Sequence, residues 1–276
     1  MDFATIIGIV LAFGAVAVSA FIGGVDLRIL YERYEAFIFV FGGTLGATLI
    51  SFPLRTFVRG FVGGLKTVFT EPVFHERSII QTLVSFAEKA RREGLLALEN
   101  EAAALEDEFM RKGIQLVIDG RDTDIIRKIL ETEVLFVQER NAKAEMVYMT
   151  LGGYSPTLGI IGTVLGLIAM LKGLGNVSGG NVTGSIGTAT AQAFVATFFG
   201  ILMANLLWLP IGSKIKERNT QLLLLREIMI EGILSIQAGD NPRLLEEKLN
   251  AFLDPEERDS EVEDGGGVAA GALAGA

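Results

Sequence analysis

The sequence has 276 residues, of which half are hydrophobic, and its formal net charge is −9. Its mean hydropathy of +0.45 is unusual for a soluble protein of this length. The absence of cysteine excludes a disulfide framework and a thiolate metal site. Charge is unevenly spread, because four long runs carry none: Phe3–Val25, Ala36–Leu54, Met146–Leu171 and Gly173–Ser213.

Each uncharged run is long enough for a membrane-spanning helix, which needs about 18 or more apolar residues. The first run is predicted to be an uncleaved anchor, since Asp2 stands where a signal peptide is positively charged and the run is too long for one. The fourth run opens with the glycine-rich stretch GLGNVSGGNVTGSIG, which predicts a loop, so its spanning part is roughly Thr188–Gly212. The sequence therefore predicts an all-α integral membrane protein with four transmembrane helices.

These helices are arranged two and two around a large helical segment. Residues 1–54 hold the first two spans, and residues 146–213 hold the last two. Residues 55–145 are predicted to form a helical cytoplasmic domain, because apolar side chains recur there at helical spacing. Residues 214–253 predict a helical cytoplasmic extension. Residues 254–276, acidic and then rich in Gly and Ala, predict a disordered tail.

The middle segment reads as helices from Glu76 to Val147. Gly94, Gly113 and the stretch Asp119–Asp122 are predicted to break them. The helix after the last break is expected to continue into the third span, and the fourth span is expected to continue in the same way into residues 214–253. His75 has no companion ligands nearby, so no metal role is assigned to it.

The distribution of Lys and Arg orients the helices. Of 24 basic residues, 14 lie between residues 53 and 143 and 7 lie from Lys214 onward. The link between the first two spans holds only Arg28 and Arg33, and the link between the last two is flanked by Lys172 alone. Because basic residues collect on the cytoplasmic side, the middle segment, the tail and both termini are predicted to be cytoplasmic.

The stretch ARREGLLALENE is the most densely charged part of the middle segment. One interpretation is a solvated helix face. The other is an electrostatic docking surface, on which Arg91 and Glu99 stand roughly 12 Å apart along a helix and meet a partner of complementary charge.

Two interpretations also apply to the last two spans. Small residues such as Gly159, Gly162 and Gly166, with Gly42 and Gly46 in the second span, indicate close helix packing. The alternative is that these helices line an ion pathway.

A pathway would use Pro156 to free a backbone carbonyl or to kink its helix, and Thr163 and Thr197 as neutral oxygens for a cation. Ion pathways usually also need an ionisable group within the membrane, and no Asp or Glu lies inside the predicted spans. The sequence therefore predicts half of a channel, with the carboxylate supplied by another chain. A purely structural membrane scaffold stays open as an alternative.

Several stretches resemble the MotA/PomA family, the multi-spanning subunits of the bacterial flagellar motor stator. They cover nearly the whole chain up to about Pro255 and include GGTLGATLISFP, DGRDTDIIRKILETE, YSPTLGIIGTVLGL and AFVATFFGILMANLLWLPIGSKIK. The ExbB/TolQ subunits, which energise the cell envelope, fit less well because they have three spans. The resemblance implies a protein of the bacterial inner membrane, without enzymatic chemistry, that turns ion flow into torque.

The resemblance also implies roles for particular residues. Pro156 and Pro210 match prolines that the family uses to couple ion flow to movement, and Thr197 matches a hydroxyl position of the ion path. Arg91 and Glu99 match the charged pair that acts on the rotor protein FliG. Besides membrane lipid, the expected partners are further copies of the chain, five in all, around two copies of a single-span MotB or PomB subunit that supplies the aspartate. No cofactor and no nucleic acid are expected.

Thr163 bears on the driving ion, because its position is typically alanine in proton-driven members of the family and threonine in sodium-driven ones. The resemblance at Thr163 thus favours transported Na⁺ over H⁺ and leaves two alternatives open, a proton-driven stator and an ExbB/TolQ-type energiser. One departure from the family is the outer loop Gly173–Gly187, which looks longer than usual.

Overall fold

The computed structural model describes residues 3–25, 28–70, 76–174 and 182–253. Within these stretches all regular structure is helical, as the sequence predicted. Three features interpreted from the sequence lie outside the described residues: His75, the centre of the outer loop at 173–187, and the tail at 254–276.

The described helices follow one another with short connections. In chain order they are α1 (Phe3–Ile22), α2 (Arg28–Glu32), α3 (Tyr34–Ser51), α4 (Leu54–Phe69), α5 (Glu76–Glu93), a 3₁₀ helix (Leu95–Leu98), α6 (Glu99–Ala103), α7 (Glu108–Ile118), α8 (Thr123–Leu174), α9 (Val182–Met203), a π-helical segment (Ala204–Trp208), α10 (Leu209–Ala238) and α11 (Pro242–Asn250).

Four stretches of described helix are long and apolar enough to cross a membrane: Phe3–Ile22, Tyr34–Ser51, Thr123–Gly173 and Ile186–Ala238. The last two exceed 50 residues, so the helices of the third and fourth spans continue well beyond their apolar parts. This confirms the expected continuation of both spans into charged helical sequence.

The chain divides into two compact units. The first comprises Met1–Pro72 and Glu139–Asn219. Its buried cluster is rich in aromatic side chains: Phe57, Tyr148 and Trp208 lie in it beside Val147 and Leu151. No residue of α1 is buried within this chain.

The second unit comprises Val73–Gln138 and Thr220–Ala276. Its core is aliphatic, with Leu83, Ile114, Leu130, Ile228 and Ile233 among its fully buried side chains. Burial of one such side chain contributes about 1.5–3 kcal/mol, so this cluster is the main stabilising feature of the unit.

Local chemistry explains where the helices of the second unit begin and end. Gly94, at φ +86°, ends α5, and Gly120, at φ +69°, lies in the turn before α8. Both breaks were predicted. The predicted break at Gly113 is wrong, because α7 runs straight through it. Gly113 instead permits close packing, since a Cβ there would lie 2.4 Å from Ile233 Cδ1.

The glycines of α3 also differ from expectation. Gly42 and Gly46 were predicted to pack closely, yet a Cβ on either would meet nothing within 4 Å in this chain. The close contact lies at Gly43, where a Cβ would come within 3.2 Å of Leu158 Cδ1. The face that α3 buries is therefore the one that carries Val40, Thr44 and Thr48.

Candidate functional site

The candidate site lies where α8 crosses α9, and small residues bring the two helices together. A Cβ on Gly159 would lie 2.9 Å from the carbonyl oxygen of Ala196, and a Cβ on Gly162 would lie 2.6 Å from the Ala196 Cβ. On α9, a Cβ on Gly200 would lie 2.6 Å from the Ser155 carbonyl oxygen. These contacts confirm the predicted packing role of Gly159 and Gly162 and leave room for no larger side chain.

Two threonine hydroxyls meet at this crossing, on one backbone carbonyl. Thr163 on α8 donates to the Gly159 oxygen at 3.1 Å, and Thr197 on α9 donates to the same oxygen at 3.2 Å. The two hydroxyls are also in hydrogen-bond contact with each other. We call this arrangement the threonine junction. The fold thus brings together Thr163 and Thr197, which the sequence places on two separate helices.

Hydrogen counting shows what the threonine junction can bind. Each hydroxyl has one proton and two lone pairs, so two protons serve three close contacts. Lone pairs on the hydroxyl oxygens therefore stay available to a cation, and both threonines are only partly buried. The junction offers neutral oxygen ligands of the kind that hard cations prefer.

Pro156 lies inside α8, about one turn before Gly159 and two turns before Thr163. Because proline has no N–H, the carbonyl of Gly152 loses the helical donor it would otherwise have. Gly152 is buried against α10, where a Cβ on it would lie 2.4 Å from Leu209 Cδ2. Leu209 directly precedes Pro210, so the helical turns around the two predicted prolines pack on each other.

Pro210 follows a π-helical segment, Ala204–Trp208, that interrupts the long helix from α9 to α10. The Leu209 N–H donates to the Ala204 carbonyl, five residues back. A π segment is a common accommodation where a proline removes a donor from a helix, and such segments often occur at functional positions. Pro210 was singled out from the sequence, but the π-helical segment before it was not predicted.

Two buried polar atoms near the prolines have no hydrogen-bond partner among the described residues, Ser155 Oγ and Trp208 Nε1. Ser155 is fully buried and directly precedes Pro156. The Trp208 ring lies 6.4 Å from the Tyr148 ring, centroid to centroid, within the aromatic cluster. Unpaired buried polar atoms cost free energy, so this region is less stable than its apolar packing alone would make it.

A cleft that was not predicted from the sequence lies beside the same crossing. It has a volume of about 510 Å³ and is lined by residues of α3, α8 and α9 that include Glu35, Gly166 and Gln192. Arg33, just before α3, also lines it and donates a hydrogen bond to Gln192 Oε1. A polar pair separated by 159 residues leaves no periodic signal, so only the fold reveals it.

The helices at the junction bring no carboxylate to it. No Asp or Glu occurs in the described residues 146–174 and 182–213. In the parts of the chain that the structure describes, no group of three or more His, Cys, Asp or Glu side chains could hold a metal ion. These two stretches can thus contribute hydroxyl and carbonyl oxygens to a cation, but no carboxylate.

Arg91 and Glu99 belong to the second unit, and both are exposed. The expectation that they lie about 12 Å apart along one helix is wrong, because the chain leaves α5 at Gly94 and Glu99 begins α6. An ion pair of 2.5 Å between Lys89 and Glu101 joins the two helices. The hydrogen bond from Lys89 to Glu101 raises the pKa of Lys89. Arg91 and Glu99 thus stand on either side of a fixed turn.

Comparison with known proteins places the chain among membrane proteins of motility. Residues 101–228 match the model of the MotA/TolQ/ExbB proton channel family. Motility protein A of Bacillus subtilis is 35% identical over 94% of this chain and 93% of that protein. Chemotaxis protein PomA of Vibrio alginolyticus is 30% identical over 96% of this chain and its own entire length, 100%. The structure of the flagellar MotAB stator complex from Bacillus subtilis superposes with a TM-score of 0.85, at 35% identity, over 93% of this chain and 98% of that one.

Proposed function

Because this chain belongs to the MotA/TolQ/ExbB proton channel family, we propose that it is a flagellar stator subunit that converts ion flow into torque. The observation that carries the proposal is the likeness along almost the whole chain to a solved stator subunit, which spans the membrane-capable helices and the charged helical parts alike. The energy available per ion is about 2.3 kcal/mol for each 100 mV of membrane potential, plus any concentration term.

The partner is a single-span subunit of the MotB or PomB kind. Its aspartate lies beside the threonine junction and supplies the charge that α8 and α9 lack. Five copies of this chain surround two copies of the partner. The relative with the matching structure was solved as a MotAB complex, which supports a MotB-like partner.

Sodium is the ion that the threonine junction suits best. A proton reaches a carboxylate through water and needs no cage, whereas sodium must exchange part of its hydration shell for fixed oxygens. Thr163 and Thr197 supply two such oxygens at one point of the helix crossing. The similarity to PomA as well as to motility protein A is compatible with either ion, so the proposal rests on the two hydroxyls.

The function and the ion are tested together in a cell that lacks its own stator. Expression of this chain with its partner should restore swimming in medium that contains sodium and should not do so in sodium-free medium. Swimming that persists without sodium and stops only when a protonophore collapses the proton gradient would show a proton-driven stator. No swimming under either condition, with both chains present in the membrane, would contradict the stator function itself.

The proposed membrane arrangement puts the link between α1 and α3 outside the cell and the second unit inside. The native chain has no cysteine, so single-cysteine variants report on one site each. Tyr31→Cys, at an 89% exposed side chain, should react with a membrane-impermeant maleimide in intact cells. Leu96→Cys, at a 74% exposed side chain, should react only after the cells are opened. Equal reaction at both sites in intact cells would refute the arrangement.

The proposed contact with the rotor protein FliG uses Arg91 and Glu99. Both are exposed on either side of the turn at Gly94, so charge reversal changes the surface and leaves the core intact. Arg91→Glu and Glu99→Lys should each reduce torque while membrane levels and ion flux stay normal. Charge reversals on the rotor should then restore part of the motility. Normal swimming of both variants and of the double variant, at low and at high salt, would show that this is only a solvated face.

A further inference from the structure

Helix α4 has an outward face whose apolar and basic side chains are exposed. Its inner face is buried in the first unit through Phe57, Gly60, Gly64 and Val68. Beside that face runs a row of exposed apolar side chains, the outer apolar row. It consists of Leu54 (69% exposed), Val58 (47%), Val62 (60%) and Phe69 (43%).

Basic residues lie directly next to this row. Each of three basic residues directly follows an apolar one in the sequence, which puts it about 100° further around the helix. The pairs are Leu54–Arg55, Val58–Arg59 and Leu65–Lys66. All three basic residues are exposed, and none forms an ion pair within the described residues. Helix α4 contains no acidic residue. We call Arg55, Arg59 and Lys66 the basic edge.

The packing of α4 fixes its level relative to the membrane-capable helices. It begins three residues after Ser51, the end of α3. A Cβ on Gly60 would lie 3.1 Å from Val147 Cγ2, and a Cβ on Gly64 would lie 2.7 Å from Ile215 Cδ1. The Tyr148 hydroxyl donates to the Phe61 carbonyl at 2.5 Å.

These contacts place α4 at the ends of three predicted spans. Val147 and Tyr148 lie at the start of the third span, and Ile215 follows the fourth. The connection from Ser51 to Leu54 covers about 10 Å at most. The polar layer on each side of a bilayer is about 5–8 Å thick. A helix held at this level lies next to the polar layer, within reach of lipid for its exposed side chains.

We propose that α4 is a lipid-binding helix, in which the outer apolar row enters the acyl boundary of the bilayer and the basic edge binds the phosphate groups of anionic phospholipids. Amphipathic helices with Lys and Arg beside an apolar face bind membrane surfaces in this way. Helix α4 carries positive charge and no negative charge, which complements the phosphate groups of an anionic lipid surface at the level where the helix lies. The inference rests on the proposed insertion of the spans and is independent of ion transport.

The depth of α4 is measured with spin labels on the full chain in liposomes, since the chain has no native cysteine. Labels at Val58→Cys and Val62→Cys should be more accessible to oxygen than to a water-soluble nickel chelate. The control is Gly63→Cys, on the far side of the basic edge, where an added Cβ meets nothing within 4 Å. That label should favour the nickel chelate. Equal accessibility to the chelate at all three sites would overturn the proposal. Labels at Val58 and Val62 that neither reagent reaches would also overturn it, because they would show that a protein partner covers the outer apolar row.

Lipid selectivity is measured on the purified full chain in detergent, as the rise of its unfolding temperature with added phosphatidylglycerol or phosphatidylcholine. Phosphatidylglycerol should stabilise the chain at lower concentration. Each neutralisation among Arg55→Gln, Arg59→Gln and Lys66→Gln should raise the half-maximal phosphatidylglycerol concentration about fivefold. Arg55→Lys with Arg59→Lys should stay close to wild type.

The matched control neutralises three exposed basic residues of the second unit, Arg121→Gln, Lys128→Gln and Arg243→Gln. It should leave the phosphatidylglycerol response unchanged. The corresponding α4 variant combines Arg55→Gln, Arg59→Gln and Lys66→Gln. An equal response in this variant and in the control would overturn the basic edge as the lipid site. Glycerol phosphate that stabilised the chain at the same concentration as the lipid would also overturn it, because the site would then bind a free anion. A chain that binds lipid but does not conduct ions together with its single-span partner would leave this inference standing and would contradict only the proposed function.

Discussion

At the scale of single residues, Thr163 is the side chain with the sharpest consequence. Its hydroxyl oxygen has contacts to Thr197 and to the Gly159 carbonyl and keeps lone pairs for a cation. Thr163→Ala removes one oxygen ligand and leaves the bond from Thr197 to Gly159 in place. Since a bond to a charged group contributes about 1.5–3 kcal/mol, half-maximal swimming speed should require at least about tenfold more sodium, or become independent of it.

The matched control for this prediction is Thr157→Ala. Thr157 lies on the same helix and is exposed, and its hydroxyl donates to the Tyr154 carbonyl at 2.8 Å, within its own turn. That substitution should leave the sodium requirement unchanged. If Thr163→Ala and Thr157→Ala gave the same sodium titration as wild type, Thr163 would serve only its own helix.

Gly200 tests the close approach of α8 and α9. An alanine there would bring its Cβ to 2.6 Å from the Ser155 carbonyl oxygen and 3.0 Å from the Gly159 Cα, which are both backbone atoms that cannot rotate away. Gly200→Ala should therefore destabilise the first unit by about 1–3 kcal/mol, the usual effect of overpacking. It should also reduce ion flux, because the clash separates the two threonines. The measurements are the unfolding temperature in detergent and flux with the partner in liposomes.

Gly153→Ala is the control for Gly200→Ala. Gly153 lies in α8, but a Cβ there meets nothing within 4 Å. Alanine favours a helix over glycine by about 1 kcal/mol, so this variant should be as stable as wild type or more stable. A similar loss of stability in both variants would mean that any added methyl group disturbs α8, and the packing argument would fail.

At the scale of elements, α7 depends on the aspartate at its start. Asp107 is the N-cap, and its carboxylate accepts the Met110 N–H at 2.9 Å and Arg226 Nη1 at 2.6 Å. Burial by itself raises the pKa of Asp107, but the hydrogen bonds from Arg226 and from the backbone outweigh it, so the pKa lies below the ordinary 3.8. Arg226 also stacks over the Phe109 ring at 4.6 Å.

The lowered pKa of Asp107 fixes the sign of a pH effect. The folded state binds this proton less readily than the unfolded state, so the carboxylate stabilises α7 at every pH above 3.8 and loses this effect as the pH falls through the folded pKa. Asp107→Asn keeps a capping oxygen but loses the charge. Its deficit in unfolding temperature should be constant between about pH 8 and pH 5 and should shrink below pH 3.8.

Asp107→Ala removes the capping oxygen as well and should cost about 1 kcal/mol more than Asp107→Asn. Glu106→Gln, at the exposed neighbouring position, is the control and should show neither effect. A deficit of Asp107→Asn that stayed the same size down to the lowest pH at which the chain folds would contradict the charge argument.

Sequence patterns predicted elements well where one local rule decides the outcome. The turn at Asp119–Asp122 contains Gly120 at positive φ, and glycine there has no competing explanation. The predicted helix break at Gly113 was wrong because a glycine inside a helix can also serve close packing. The residue against which it packs, Ile233, lies 120 residues away in the chain. The π segment before Pro210 depends on how α9 and α10 continue through a missing donor, which a residue pattern does not encode.

The candidate site was predictable in part for the same reason. Thr163 and Thr197 were identified from resemblance and from their polarity in apolar runs. Their common acceptor, the Gly159 carbonyl, depends on the distance between α8 and α9. The bond from Arg33 to Gln192 likewise joins distant parts of the chain, and no periodicity connects them.

At the scale of the whole molecule, the likeness extends over nearly the full length of its relatives. The chain covers 93% of motility protein A of Bacillus subtilis and 100% of PomA of Vibrio alginolyticus, which are named for motility and chemotaxis. This favours the stator over the envelope energiser that the sequence left open. The same relatives match more than nine-tenths of this chain, including the helices 146–174 and 182–213 that contain no Asp or Glu.

Without a carboxylate at the junction, this chain should not conduct ions by itself. Stripping water from a cation is costly unless oxygens and a negative charge replace it. The threonine junction supplies the oxygens, and the described residues 146–174 and 182–213 contain no Asp or Glu to supply the charge. Liposomes that contain this chain alone should therefore show no sodium or proton flux above that of empty liposomes. Liposomes with the chain and its single-span partner should conduct, and Asp→Asn in the membrane helix of the partner should return the flux to background with assembly intact. Flux through the chain alone, at the level of the pair, would falsify the division of the ion site between two chains.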